Sequence, residues 1–308
     1  APMTTDYWNG INLVYMYAQS EPNMNNDYFT LENCFLEGGY NGVRLGGTYS
    51  VDLPKERGGR VVYNTFRNQG SIAIYAMKEI DGLIRGNTIF NDRTDRNGFK
   101  AIDMVMMEGV TICDNLIRLD TRNSAYGLYL RSRDNSSGIP ARVYNNEINY
   151  HSVTGASYGI NVAEELVYTE IVYNTIRLSG SSQAPASAVF YYRNTAPAMP
   201  SRSVVSNNIF QNLAAGYVYC MEPSNVFGDG KIGFSHNACY SSATSAFASV
   251  GGKVQDFSAW SSLSGDTAGF IQQVEFLSDE ILEPDVAGRL NSGELISYIT
   301  TDIAGKSR

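Results

Sequence analysis

Two patterns of hydrophobic and polar positions alternate along most of the chain. In the first, apolar residues stand three positions before an Asn and two after it. It covers Val61 to Phe66 around Asn64, Ile84 to Ile89 around Asn87 and Ile112 to Ile117 around Asn115, then Val143 to Ile148 around Asn146, Ile171 to Ile176 around Asn174 and Val204 to Ile209 around Asn207. The fixed phase assigns the two apolar positions to the inward side of short strands. The second pattern is small-apolar-x-apolar. It appears at Gly42-Val43-Arg44-Leu45, Ser71-Ile72-Ala73-Ile74, Ala101-Ile102-Asp103-Met104, Gly127-Leu128-Tyr129-Leu130, Gly159-Ile160-Asn161-Val162, Ala188-Val189-Phe190-Tyr191 and Gly216-Tyr217-Val218-Tyr219. Its outer pair is apolar, and its middle residue is left to face out.

The first pattern extends weakly to Asn33 and Asn237, and successive Asn positions then differ by 31, 23, 28, 31, 28, 33 and 30 residues. A repeat of that size holds two or three short strands with turns, and its irregular length places insertions in loops while the strands stay in register. Coils stacked in parallel, each strand bonded to its equivalent in the next coil, satisfy this arrangement. The sequence therefore predicts an all-β chain, a right-handed parallel β-helix or solenoid over residues 1–245, with a small C-terminal capping segment at 246–308.

The repeated Asn has a physical role in such a coil. At a corner between strands the backbone leaves polar groups turned inward, and an amide both donates and accepts, so Asn side chains of successive coils can bond one another and the turn. The expected ladder is Asn33, Asn64, Asn87, Asn115, Asn146, Asn174, Asn207 and Asn237. Gly10-Ile11-Asn12-Leu13 matches the second pattern with no Asn-bearing strand before it, which predicts that the chain begins in mid-coil and that preceding residues or a partner complete it. Residues 46–60 and 131–140 read as corner loops. Near the other end, Asp256 is a helix N-cap ahead of Phe257 to Trp260, Gly265 stops that helix, and Phe270 to Arg308 is expected to cover the last coil.

Composition agrees with many short strands and narrows the function. Gly (29 residues) and Tyr (21) are abundant, and only 18% of residues are charged. A net charge of −8 argues against a nucleic-acid partner, which requires clustered Lys and Arg. No apolar run reaches the ~20 residues of a membrane span, so direct membrane insertion is not expected. Cys34, Cys113, Cys220 and Cys239 lack metal-site or disulfide-scaffold spacing and read as free thiols packed as small hydrophobes.

Candidate chemistry is confined to the outward column of the second pattern: Arg44, Ala73, Asp103, Tyr129, Asn161, Phe190 and Val218, flanked by Arg131, Glu164, Tyr192 and Arg193. Asp103, Tyr129, Arg131, Asn161, Glu164, Tyr192 and Arg193 form the candidate substrate-binding set, because aromatic rings beside polar groups suit sugar stacking and hydroxyl recognition. Asp92-Arg93-Thr94-Asp95-Arg96-Asn97-Gly98 has Arg93 where a calcium loop needs its first ligand, and reads as a surface loop. His151 and His236 are three coils apart, too far for one metal site or triad, and His236 reads as a turn residue. No metal or cofactor is expected. Asn135-Ser136-Ser137 has the form of a glycosylation sequon.

The Asn-x-Ile ladder resembles the right-handed parallel β-helix repeat family, the pectate-lyase-like superfamily with its many secreted carbohydrate-active proteins. Asp256-Phe257-x-x-Trp260, Asp266, Leu290-Asn291-Ser292-Gly293 and Thr300-Thr301-Asp302-Ile303-Ala304-Gly305-Lys306-Ser307-Arg308 resemble the tail of β-helix modules in large secreted bacterial surface proteins. That tail often ends in Asp-Ile-Asp-Gly-x-x-Arg, and Ala304 replaces its second Asp. The resemblance implies an extracellular or cell-surface setting and a polysaccharide, surface glycan or neighbouring domain as partner. The pectate-lyase Trp-Ile-Asp-His and Arg-x-Pro-x-x-Arg patterns are missing, as are the polygalacturonase Asn-Thr-Asp, Asp-Asp, Gly-His-Gly and Arg-Ile-Lys patterns. A rigid structural or adhesive module with a glycan-binding outer face is therefore expected first. A polysaccharide lyase or glycoside hydrolase acting on an acidic or neutral polysaccharide is the alternative, with Ca²⁺ entering only under the lyase reading.

Overall fold

The computed structural model describes residues 12–17, 27–46, 55–95, 97–120, 124–132, 138–180, 187–193, 202–227, 231–243, 246–280, 282–284 and 293–307. Within them the chain is an all-β parallel solenoid of about 7 turns with one short helix near the C-terminus. Each coil contributes a strand to three sheets in turn, as Thr30–Glu32, Phe35–Glu37 and Asn41–Gly46 do in one coil. We call these the first, second and third sheets. Every pairing between equivalent strands of successive coils is parallel, and the third sheet closes with one antiparallel strand, Lys253–Gln255, on Ala248–Val250. The third sheet thus continues to Ala248–Val250 and the second to Phe270–Ile271, so solenoid hydrogen bonding runs past residue 245.

The amide ladder occupies the corner between the first and second sheets. Each Asn Nδ2 donates to the Oδ1 of the Asn one coil on, at 2.9–3.1 Å from Asn64 through Asn87, Asn115, Asn146 and Asn174 to Asn208 and Asn237. The second Nδ2 hydrogen goes to a carbonyl one coil back, such as Val143 for Asn174, and each Oδ1 also accepts the backbone N–H of the preceding Asn. Buried side chains with both amide ends occupied explain why an apolar residue cannot stand there.

Two expected rungs are corrected. Strand pairing aligns Cys34, not Asn33, with Asn64, and the Cys34 N–H donates to Asn64 Oδ1 at 2.9 Å. Asn208, not Asn207, stands between Asn174 and Asn237. Asn33 and Asn207 are instead the left-handed residues just before the ladder position (φ 54° and 57°), equivalent to Asp114, Asn145, Tyr173 and His236. Because side chains alternate, the one-residue shift turns the sixth copy of the first pattern over: Val205 and Phe210 are buried, and Val204 is 39% exposed.

The second pattern also shifts in places. Pairing aligns Val43, Ile74, Ile102, Leu128, Ile160, Phe190 and Tyr219, so Ala73, Phe190 and Val218 point inward and are fully buried. The residue before each of these also turns inward, which bends the strand. A Cβ on Gly127 would lie 2.7 Å from the Ile148 side chain and one on Gly159 2.5 Å from that of Ile176, which explains glycine in these two coils. Asn12 pairs with Asn41 and Val14 with Val43, so the N-terminal copy is displaced too, while Gly10 and Ile11 lie outside the described residues. Within the expected 46–60 loop, Glu56–Arg57 forms a short strand on Glu79–Ile80.

Helix α1, Phe257–Ser264, has the expected caps: Asp256 accepts from the Ala259 N–H at 2.8 Å, and Gly265 is left-handed. Its Trp260 is fully buried and stacks on Tyr219 at 4.1 Å, closing the last coil with Phe234 and Phe247. The described residues after 272 do something else. They run back along the outside of the solenoid, where Gln211 accepts from Val274, Arg177 pairs with Asp279 at 2.8 Å and Arg118 with Glu280 at 3.5 Å. A second pass lies on the ladder corner: Asn207 both donates to and accepts from the Glu294 backbone, Tyr298 sits under Arg142, and Asn145 donates to the Thr301 carbonyl. Leu290, Asn291 and Ser292 lie outside the described residues, as do the loop residues 47–54 and 133–137 with the sequon.

Candidate functional site

The outward face of the third sheet brings charged, aromatic and amide side chains side by side. Its central column in register is Arg44, Tyr75, Asp103, Tyr129, Asn161, Tyr191 and Cys220. Because two successive residues turn inward, the next outward position lies three residues earlier, and there stand Lys100, Tyr126 and Tyr158.

Asp103 is the electrostatic centre. Its side chain is 1% exposed, and it accepts from Lys100 at 2.7 Å and from Arg131 at 2.8 Å. Both cations also lie over the Tyr129 ring, Lys100 at 3.9 Å and Arg131 at 5.2 Å from its centroid. One carboxylate thus neutralises and orients two cations, and the ring packs beneath them.

An aromatic ridge extends from this centre. Tyr126 meets Tyr129 edge-on at 5.2 Å and stacks on Tyr158 at 5.4 Å, and Tyr158 stacks on Tyr191 at 4.5 Å. At the far end the Tyr191 hydroxyl donates to Glu222, which also lies 3.5 Å from Arg193. Burial raises the hydroxyls of Tyr126 and Tyr129 and pushes Tyr158 up to about 12; burial and then the Glu222 contact raise Tyr191. All four are neutral phenols at physiological pH. Burial pushes the Cys220 thiol up to about 11, so it is not a thiolate nucleophile.

Of the seven residues expected from the sequence, Asp103, Tyr129 and Arg131 form one contact set, and Asn161 is on the next rung beside Tyr129. Glu164 follows on the same strand and is near enough to act on the Tyr129 hydroxyl. Arg193 is at the opposite end with Glu222. Tyr192 is corrected: it is 5% exposed and belongs to the core, and its neighbour Tyr191 takes the outward place. Sequence reasoning missed Lys100, Tyr126, Tyr158, Tyr191 and Glu222. Strict alternation puts Tyr126 and Tyr158 inside. Only the paired inward residues at Gly127-Leu128 and Gly159-Ile160 reverse them.

Among the described residues there is no group of three or more His, Cys, Asp and Glu side chains arranged to hold a metal ion. The cysteines are free, with Cys113 and Cys239 buried. His236 is a left-handed turn residue, as expected.

The fold defines the class, a parallel β-solenoid of about 7 turns. No protein-family model, curated protein or solved structure matches the chain.

Proposed function

We propose that this chain is a rigid β-helix module of an extracellular or cell-surface protein, of the pectate-lyase-like kind, whose third-sheet face binds a glycan. The observation that carries the reading is the ridge Tyr126, Tyr158, Tyr191 set between two ion clusters, Lys100–Asp103–Arg131 and Arg193–Glu222. Fixed phenols and planar charged groups on a stiff sheet present hydroxyl-binding partners at rung spacing, with little ordering left to do on binding. Lys100 and Arg131 are each paired with Asp103 and packed on the Tyr129 ring, an arrangement that holds them in place as binding groups.

The test is a glycan array with the intact chain, alongside assays for unsaturated uronides and new reducing ends. Binding without turnover is expected, with binding lost in Arg131→Ala. Turnover that disappears in Asp103→Asn would replace this reading with an enzymatic one. Cell fractionation of the producing organism tests the setting.

A further inference from the structure

On a different face, the outward row of the second sheet carries Arg118, Asn149, Arg177 and Gln211 in register on successive rungs. Each engages the same stretch of the tail. Gln211 Oε1 accepts from the Val274 N–H at 2.9 Å, Arg177 pairs with Asp279 at 2.8 Å, Asn149 Nδ2 donates to the Asp279 carbonyl, and Arg118 lies 3.5 Å from Glu280. Carboxylates thus alternate with peptide groups along the row, and its two cations stand two rungs, about 10 Å, apart. What the row holds is peptide, engaged through side chains and backbone together. That favours an acidic polypeptide as its ligand over a polyuronate, which has no amide to offer.

The segment on the row is a hairpin closed on itself: Phe276 bridges to Pro284, and the Leu277 N–H donates to the Glu283 carbonyl at 2.9 Å. Val274 and Leu282 are buried and seat its two ends. Its other acids are engaged elsewhere, Glu275 with Gln273 and Glu283 with Lys306, which leaves Asp279 and Glu280 to cover the cations. They do so loosely. Their side chains are 78% and 75% exposed, and ion pairs that open to water contribute little. On the row, Arg118 Nε, Asn149 Oδ1 and Arg177 Nε are buried and, among the described residues, have no hydrogen-bond partner. An orphaned polar atom on each of these successive rungs makes the hairpin a costly fit.

We infer that this row is a binding strip for an acidic peptide segment, and that the chain's own tail hairpin holds it closed as an internal competitor. Tethering gives the hairpin a local concentration in the millimolar range, so a free segment wins only above that level or against a weakened hairpin. The test is fluorescence anisotropy on the intact chain with a labelled synthetic copy of residues 274–284 as the probe. Asp279→Ala/Glu280→Ala in the chain should bind the probe about tenfold more tightly than the native chain, and high salt should weaken that binding. Adding Arg118→Ala/Arg177→Ala should abolish it. Amide exchange of the isotope-labelled native chain supplies a reading that needs no variant: unlabelled peptide at millimolar concentration should speed exchange in the hairpin and leave the ladder strands protected. A peptide carrying Asp279→Asn and Glu280→Gln should not.

Equal affinity of the native and Asp279→Ala/Glu280→Ala chains, or hairpin exchange unchanged by the peptide, would overturn the hairpin as competitor. Binding that survives loss of both arginines would overturn the row as the site. Tighter binding of polygalacturonate than of the peptide would overturn the ligand class.

Discussion

The side-chain amide of Asn237 donates to Oδ2 of Asp266 at 3.4 Å, so a ladder of amides ends on a carboxylate. Asp266 is 1% exposed, and burial raises its carboxyl pKa against the opposing effect of Asn237 and the Gly269 and His236 backbone. Asp266→Leu removes the last acceptor and should cost about 1–3 kcal/mol in chemical denaturation. Asp266→Asn keeps an acceptor and removes a buried charge, and should be neutral or stabilising.

The register at the sixth rung is directly testable. Asn208 donates to Ile171 O and Asn237 Oδ1, both at 2.9 Å, and accepts from the Asn174 backbone and side chain. Asn208→Leu should cost roughly 2–4 kcal/mol through these orphaned groups. Asn207→Leu leaves the ladder whole and loses the clamp on Glu294, so its cost in the same melt should be clearly smaller. Equal costs would restore Asn207 to the ladder.

Tyr298 fastens the second pass of the tail, with its ring 4.2 Å from the Arg142 guanidinium and its hydroxyl on Glu170. Both contacts are partly exposed and individually modest. Tyr298→Ala should shift global stability by less than about 1 kcal/mol, yet speed proteolysis and amide exchange in residues 293–307, because local opening needs only these tethers to fail.

Glu79 sets a pH dependence. Its carboxyl is pushed from an ordinary value of 4.5 up to about 7, chiefly by burial, with the Gly59 N–H opposing and Glu56 and Asp27 adding. The folded chain therefore holds this proton more tightly than the unfolded one. Stability from this group is full below about 4.5, falls as pH climbs to about 7, and levels off beyond, a loss of roughly 3 kcal/mol. Denaturant melts on either side of that window should show the fall in the native chain and a clearly smaller one in Glu79→Gln.

What the sequence determined by itself was the architecture: Asn64, Asn87, Asn115, Asn146 and Asn174 recur at one phase of the apolar pattern, which points to stacked coils, because parallel stacking brings equivalent amides into line. The helix at Phe257–Ser264 was legible for a similar reason, since Asp256 and Gly265 act on backbone groups within a few residues of themselves. Tertiary structure decided the register where local choices were degenerate. Asn207 and Asn208 are chemically identical in sequence, and only pairing to Ser235 and Asn237 selects between them. It also decided the face of the site, since the inward pair at Gly127-Leu128 depends on how closely Ile148 of the second sheet approaches. The returning tail had no periodic signal, because its contacts with Arg118, Arg177, Asn207 and Arg142 join residues far apart in the chain. Strand periodicity is a local property of the chain, whereas the partner of each outward side chain is set by which coil lies beside it.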